Sequence, residues 1–342
     1  MDAQRKAVLE KQHYKIIGEH SAVKVCHWTK EEMIHDRGCY KQSFYGIESH
    51  RCIQMTPTVN QCSENCMFCW RFQDFEEDRI DVEDDPRIIL DGAIEIQKRL
   101  MSGYKGDARV SGEKWEESQM PKHVAISLTG EPSAYSRLGE YIELCHRAGM
   151  TTFLVTNGTN PQVLRELNPL PTQLYVTVAA PSREMFTKVC APIRSNAWEQ
   201  LMETLALLPS LDTRKVIRHT LVKDWTLGFE AQYAKLDSIA SPHFIESKGY
   251  VNVGYSRARL TMKNMPSHDE IRAFSMKLAS ELGNYELQSE RRDSRVALLV
   301  RKGVNRWLPG LERPVEEELR YNMGGNGGAS GRFTSASQSP DS

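Results

Sequence analysis

Cys62-Ser63-Glu64-Asn65-Cys66-Met67-Phe68-Cys69 places three thiols in a CxxxCxxC run. A loop this short can turn its sulfurs onto one face of a small inorganic centre. Thiolates are soft ligands and select zinc, copper(I) or iron–sulfur clusters. A closed structural zinc site takes four ligands, usually as two pairs, and a cubane iron–sulfur cluster also has four corners. Three neighbouring cysteines therefore suit a cluster with one iron left open. The plainer alternatives are a zinc knuckle with a distant fourth ligand, or unligated cysteines in a turn. The loop follows an apolar stretch, Cys52 to Val59, that predicts a first strand.

Phe68, between the second and third thiols, completes the CxΦC ending of the radical S-adenosylmethionine (SAM) enzymes, which this stretch resembles. The resemblance implies that Cys62, Cys66 and Cys69 hold a [4Fe-4S] cluster. SAM would chelate the fourth iron through its amino and carboxylate groups, with Phe68 beside it.

The rest of the composition is compatible with such an enzyme. The chain has 342 residues, 40% hydrophobic and 26% charged, with a formal net charge of −1. That is enough for one large domain with additions, without the overall basic excess that announces nucleic acid. Met1 to Lys15 is polar and charged, so neither a signal peptide nor a membrane span is expected. Eight cysteines without a secretory signal argue for reduced thiols, metal ligation and a cytoplasmic location.

The first fifty residues read as an irregular arm carrying Cys26 and Cys39, with Cys52 just beyond. These three match no common zinc spacing, and free cysteines are usually buried apolar groups. As a second set of three before the first, they could hold another open cluster, with His27 or His50 as a possible fourth ligand. Lys41 falls among them. Most lysines are solvated, but one in an apolar pocket can lose its proton and attack a ketone as a Schiff base.

Beyond the loop, Asp74 to Asp85 reads as a solvated acidic stretch, and Asp85-Pro86 opens a helix that Gly103 ends. Tyr104 to Gln119 reads as a charged connection. Lys122–Thr129 is the next strand, ending in Gly130-Glu131-Pro132, and Leu138 to Cys145 forms a helix face with Cys145 in the core. Thr151–Thr156 is a strand ending in Asn157-Gly158, followed by a helix from Asn160-Pro161. Gln173–Val178 leads into Ala179-Ala180-Pro181-Ser182, and a short helix brings Cys190 into the packing. Ser195 caps a further helix, Lys215–Leu221 is a strand, Phe229–Ile239 a helix, and His243–Val253 holds the sixth strand.

Six strands alternating with helices predict an α/β fold, a partial (β/α)6 TIM-like barrel of the radical SAM type with N- and C-terminal extensions. Ligands of such sheets gather at the carboxyl ends of the strands. There, Gly130-Glu131 resembles the SAM amino-group motif, though Thr129 stands where that motif has its first glycine. Asn157, Gly158, Thr177 and Ser182 are further candidate cofactor contacts. The expected division is an extension over 1–50, a core over 51–256, a basic extension over 257–310 and a tail over 311–342, disordered from about Gly324.

In the basic extension, Ser267 to Glu270 is a capping box, and Tyr285–Glu290 with Arg295–Arg301 forms a hairpin. Arg257 and Arg259 are candidate RNA-backbone contacts, with Tyr255 and Trp307 as stacking groups; a merely solvated charged face is the alternative.

Two cysteine triplets, GEP, TNG and a basic carboxyl-terminal region together resemble the archaeal tRNA 4-demethylwyosine synthases of the wybutosine pathway, to about Gly310. The strongest match is Asn65-Cys66-Met67-Phe68-Cys69-Trp70-Arg71 preceded by Cys26, Cys39 and Cys52. The resemblance implies a lyase that converts N1-methylguanosine beside the anticodon of phenylalanine tRNA into a tricyclic base with pyruvate as carbon source. It implies two [4Fe-4S] clusters, SAM, and an external electron donor such as flavodoxin or ferredoxin, because the flavodoxin-like domain of eukaryotic relatives is missing. A SAM-derived radical would take hydrogen from the N1-methyl group, and the carbon radical would add to pyruvate's ketone carbon. Loss of the carboxylate carbon and condensation with the guanine amino group would close the ring. Pyruvate would be held by the second cluster or by Lys41. The rival readings are a radical SAM peptide maturase, whose auxiliary cysteines normally follow the core, and a non-catalytic iron–sulfur or zinc RNA-binding module.

Overall fold

Residues 3–73, 80 and 82–311 are described by the computed structural model. The acidic stretch from Asp74 lies partly outside these residues, and the tail beyond 311 wholly so. The chain opens with α1 (Ala3–Lys11), a hairpin of β1 (Lys15–Ile17) and β2 (Ser21–Val23), then α2 (His27–His35) and α3 (Tyr40–Tyr45). Six alternating strands follow: β3 (Cys52–Thr56), β4 (His123–Ile126), β5 (Thr151–Thr156), β6 (Gln173–Thr177), β7 (Arg214–Leu221) and β8 (Phe244–Gly249). Between them run α4 (Pro86–Ser102), α5 (Gly112–Ser118), α6 (Leu138–Arg147), α7 (Pro161–Glu166), α8 (Arg183–Cys190), α9 (Ala197–Leu207) and α10 (Glu230–Ala240). The last elements among the described residues are α11 (His268–Leu282) and a hairpin of β9 (Tyr285–Arg291) and β10 (Val296–Arg301).

All ten strands belong to one sheet, ordered β1-β2-β3-β4-β5-β6-β7-β8-β10-β9. Pairing from β3 to β8 is parallel, as the crossover helices require. The terminal hairpins add antiparallel edges, β2 on β3 and β10 on β8. The sheet curls because alternate side chains feed two separate cores. Leu154, Val176, Ile217 and Ile245 face the helices. Their neighbours Phe153, Tyr175, Val216 and Phe244 turn inward and pack on Tyr40, Phe44 and Tyr45 of α3. A helix buried on every side thus plugs the lumen of an open barrel.

This corrects the reading of the first fifty residues as an irregular arm. Three-residue strands and a polar α1 carry no periodicity to detect, and an all-buried α3 has no amphipathic stripe. Two smaller differences concern helix starts. The connection after Gly103 contains α5, capped by Ser111, whose side chain accepts from Lys114 N. The N-cap of α9 is Asn196 rather than Ser195, and it makes no side-chain cap. The Asp85 cap of α4 and the Ser267/Glu270 capping box of α11 form as the sequence predicts.

At the amino-terminal end of the sheet, buried His123 receives the Glu48 backbone N–H at 3.1 Å and meets Thr151 Oγ1 at 2.7 Å. Burial lowers its imidazole to about 4. The unfolded chain binds this proton near the ordinary histidine value, whereas the folded chain refuses it until about 4. Stability from this group is therefore complete above about pH 6.5 and is lost as pH falls toward 4, by about 3 kcal/mol in all. Urea unfolding at pH 7 and pH 4.5 should show this loss, and His123→Gln should flatten the slope between them.

Candidate active site

The carboxyl ends of the barrel strands open into a cavity of about 370 Å3, within the range of cofactor sites. Cys62, Cys66, Phe68 and Cys69 line it together with Gly130, Glu131, Asn157 and Thr177. The cysteine loop is pinned from below by its backbone. Asn65 N–H donates to Cys190 O at 3.0 Å, Met67 N–H to Val189 O at 2.8 Å, and Ile193 N–H to Ser63 O at 2.9 Å. Arg259 holds it from outside, donating to Met67 O at 3.1 Å and Cys69 O at 2.6 Å. The residue read as a phosphate contact thus turns its Nε and Nη2 to the cysteine loop.

Gly130 has φ +69°, and a Cβ there would stand 1.7 Å from Thr58 O. Only glycine tolerates both that conformation and that approach. Glu131 is buried and accepts from Ser133 N–H and Oγ, Thr156 Oγ1 and Asn157 N–H, joining the ends of β4 and β5. Burial nonetheless raises its carboxyl. Asn157 also donates to Ser63 Oγ at 2.7 Å, so strand end and loop move together. Two candidates stand apart. Gly158 backs the cavity against Leu201 and Val176, and exposed Ser182 caps α8 by accepting from Met185 N–H. Neither lines the cavity.

Glu64 lies inside the loop, buried, with Oε1 unpartnered among the described residues and Oε2 accepting from Cys66 Sγ at 3.0 Å. Burial pushes its carboxyl up to about 8. Cys190, read as packing, is buried but reaches the ligand atoms of Glu64 and Cys66 within 4.8 Å. All eight cysteines are free. Burial pushes the Cys62 thiol well above its ordinary value. That of Cys66 is raised by its contact with Cys190 and by burial. Metal would therefore bind with release of protons. Three thiols on one pinned loop, beside a glycine cradle and a buried carboxylate, fit a cluster with an open corner and a small cationic ligand against it.

The floor of the lumen is polar. Glu246, fully buried, accepts from Arg218 Nη2 at 2.9 Å, Tyr40 at 3.1 Å and Tyr45 at 2.8 Å. Lys41, on the same short helix, is buried with its ammonium 4.7 Å from the Tyr175 ring centre and 5.2 Å from that of Phe153. Burial and then Arg218 lower its pKa. Cys39 caps α3 and Cys52 opens β3; burial first, then Cys26 for both and Cys39 for Cys52, push their thiols up to about 11 and about 12. Cys26 precedes α2, close enough to Arg71 to share its field with Cys69. Cys26, Cys39 and Cys52 thus gather around Lys41, and none of the three lines the cavity that holds Cys62, Cys66 and Cys69. His50 is not part of this group, since it pairs with Glu117 at 2.8 Å, and His27 is exposed against Trp28.

Arg218, Glu246 and Lys248 were missed as site residues. Their signal was parity: each shares an inward register with an apolar lumen residue two or four positions earlier, Val216 or Phe244. At the mouth, Trp70 and Tyr255 are exposed, with the Arg71 guanidinium 3.2 Å from the Trp70 ring centre and Tyr255 edge-on to Phe72. Arg257 is exposed beside them, donating to Asn252 O. Trp307 lies elsewhere. Its carbonyl accepts from Arg214 at the start of β7, the far end of the barrel.

Comparison with known proteins agrees with this geometry. Residues 56–230 match the radical SAM superfamily, and residues 239–301 match a family described as wyosine base formation. The tRNA 4-demethylwyosine synthase of Pyrococcus abyssi is 47% identical over 87% of this chain and 89% of its own. A structure of TYW1 with a lysine-pyruvate adduct bound superposes with a TM-score of 0.82 at 37% identity, covering 90% of this chain and 99% of that one. Archaeal TYW1 gives 0.76 at 34% identity, over 90% and 100%.

Gly130→Ala should force the strand end off Thr58 and out of register with the cysteine loop. About 1–3 kcal/mol of backbone strain follows, read as a lower unfolding midpoint, together with at least about tenfold weaker SAM binding in equilibrium dialysis.

Proposed function

This chain belongs to the S-adenosyl-L-methionine-dependent tRNA 4-demethylwyosine synthases, radical SAM enzymes that act on tRNA, and from that premise we propose how its lumen divides the work. When bound, the [4Fe-4S] cluster and SAM supply reductive radical chemistry able to remove hydrogen from an unactivated methyl group. Cys62, Cys66 and Cys69 hold that cluster. Glu131 receives the SAM ammonium, Phe68, Asn157 and Thr177 wall the cofactor, and Gly130 lets the backbone approach it. Gly158 and Ser182 support from behind, through β5 and α8.

The carbon source is pyruvate, held on the floor. The observation that carries this reading is Lys41, sequestered among aromatic rings with no hydrogen-bond acceptor for its ammonium among the described residues. Lys248 is differently placed, donating to Ser294 O at 3.0 Å. The Lys41 amine adds to the keto carbon and water leaves, giving a Schiff base. The lysine-pyruvate adduct in the solved TYW1 relative supports the same chemistry. Cys26, Cys39 and Cys52 would hold a second [4Fe-4S] cluster beside that lysine.

The tRNA is that for phenylalanine, and its N1-methylguanosine turns out of the anticodon stack to reach the cavity. Trp70 and Tyr255 offer faces for stacking at the rim, and Arg257 a phosphate contact, with Arg259 holding the loop they surround. Residues 1–50 supply Cys26, Cys39 and Lys41, 51–256 the radical core together with Cys52, and 257–310 the tRNA side. An external flavodoxin or ferredoxin delivers the electron. No helix among the described residues is long and apolar enough to cross a membrane, and we place the enzyme in the cytoplasm with its tRNA.

Anaerobic reconstitution with methylated tRNA, SAM, pyruvate and reductant, followed by nucleoside mass analysis, tests the whole reading. Replacing Cys26, Cys39 and Cys52 with Ala should lower iron from about eight to about four per chain, keep SAM cleavage and abolish the tricyclic product. Lys41→Ala should keep both clusters but lose the pyruvate adduct trapped by borohydride. Full product formation by Lys41→Ala would remove the Schiff base.

A further inference from the structure

Three cations and one carboxylate share the middle of the lumen. Glu246 balances Arg218, whose Nε and Nη2 both donate to it. Lys248 lies two residues further along the same strand and lines the cavity. Its ammonium donates to Ser294 O and stands 5.3 Å from the Tyr40 ring centre, and it faces no carboxylate within hydrogen-bond reach among the described residues. Lys41 has no hydrogen-bond acceptor for its ammonium among the described residues. Two rings tie the three together. Tyr40 bonds to Arg218 at 2.6 Å and lies beside Lys248. Tyr175 lies 4.8 Å from the Arg218 guanidinium carbon and 4.7 Å from the Lys41 ammonium.

A buried charge without a counter-charge is costly. A surplus of cations in a cavity wall therefore marks a place for an anion. The Nη1 edge of Arg218 makes no hydrogen bond among the described residues, although Arg218 lines the same cavity. We infer that Lys248, with this free edge of Arg218, forms the carboxylate subsite of the 2-oxo acid whose ketone reaches Lys41. The subsite rests on the reading of Lys41 given above. Its anion sits between floor and mouth, where Glu246 blocks any slide toward the barrel's far end. It would leave pyruvate's ketone carbon facing α3. A neutral ketone gains nothing from this pair of cations, so the subsite selects 2-oxo acids over their amides.

The test is borohydride trapping on the anaerobically reconstituted chain with pyruvate or its neutral amide, pyruvamide, the adduct being mapped to Lys41 by peptide mass. For Lys248→Met, half-maximal trapping should need about tenfold more pyruvate or above, with the pyruvamide requirement within about twofold of the unsubstituted chain. Unchanged trapping of pyruvamide shows that the variant folds. Lys248→Gln serves in the same assay should the methionine variant not fold. Equal losses for both ligands, no loss for either, or weaker SAM binding in place of weaker pyruvate binding would overturn the subsite. If the unsubstituted chain traps neither ligand, the Schiff base at Lys41 is what fails. Equilibrium dialysis of labelled pyruvate then reads the subsite alone. A tenfold difference between unsubstituted chain and variant supports it, and equal binding overturns it.

Discussion

A carboxylate with no access to water holds the two ends of this molecule's chemistry in one frame. Glu246 sits on β8 and accepts from Arg218 on β7 and from Tyr40 and Tyr45 on α3. Such a group is tolerated in the interior only when every lone pair is met. Its tyrosine donors precede it by 206 and 201 residues in sequence. The demand for those donors seats α3 inside the barrel instead of on its rim. Once α3 is seated, Lys41 and Cys39 have no freedom of position. The aromatic layer of Phe153, Tyr175 and Phe244 beneath adds area, but area alone would let the plug turn. The hydrogen bonds choose its orientation.

The mouth is built on a different principle. Its cysteine loop packs Met67 and Phe68, partly buried, against the core and is tied by backbone bonds to the carboxyl end of α8. Arg259 closes the same loop from the solvent side, linking the segment after β8 to the loop after β3. A binding surface for tRNA on that segment would therefore be mechanically continuous with the thiols. Trp70 and Tyr255, one from each segment, meet through the bond from Tyr255 N–H to Trp70 O.

Much of this was legible in the sequence. Strands β3 to β6 announce themselves as apolar runs with Gly, Asn or Pro close behind, and β5 spans the residues expected of it, Thr151–Thr156. The cysteine loop could be read because spacing and one aromatic residue carry chemistry without reference to the fold. The N-terminal region was illegible for a physical reason: α3 is specified by contacts with strands far along the chain, and its own six residues are buried all round. Arg218 and Lys248 were hidden because a charge in an inward strand position looks like any other charge until the curl of the sheet is known. The bonds of Arg259 to the carbonyls of Met67 and Cys69 were not foreseen, since sequence does not show which distant carbonyl a side chain will meet.

The central claim is that two triplets of thiols open onto one lumen with Lys41, Arg218 and Lys248 between them. Anomalous diffraction at the iron edge, on crystals of the anaerobically reconstituted chain, addresses it most directly. The account predicts two iron peaks, one against Cys62, Cys66 and Cys69 and one against Cys26, Cys39 and Cys52, with the three cations lying between. A single peak at the first triplet, or a second peak on the outer face of the sheet, would contradict it.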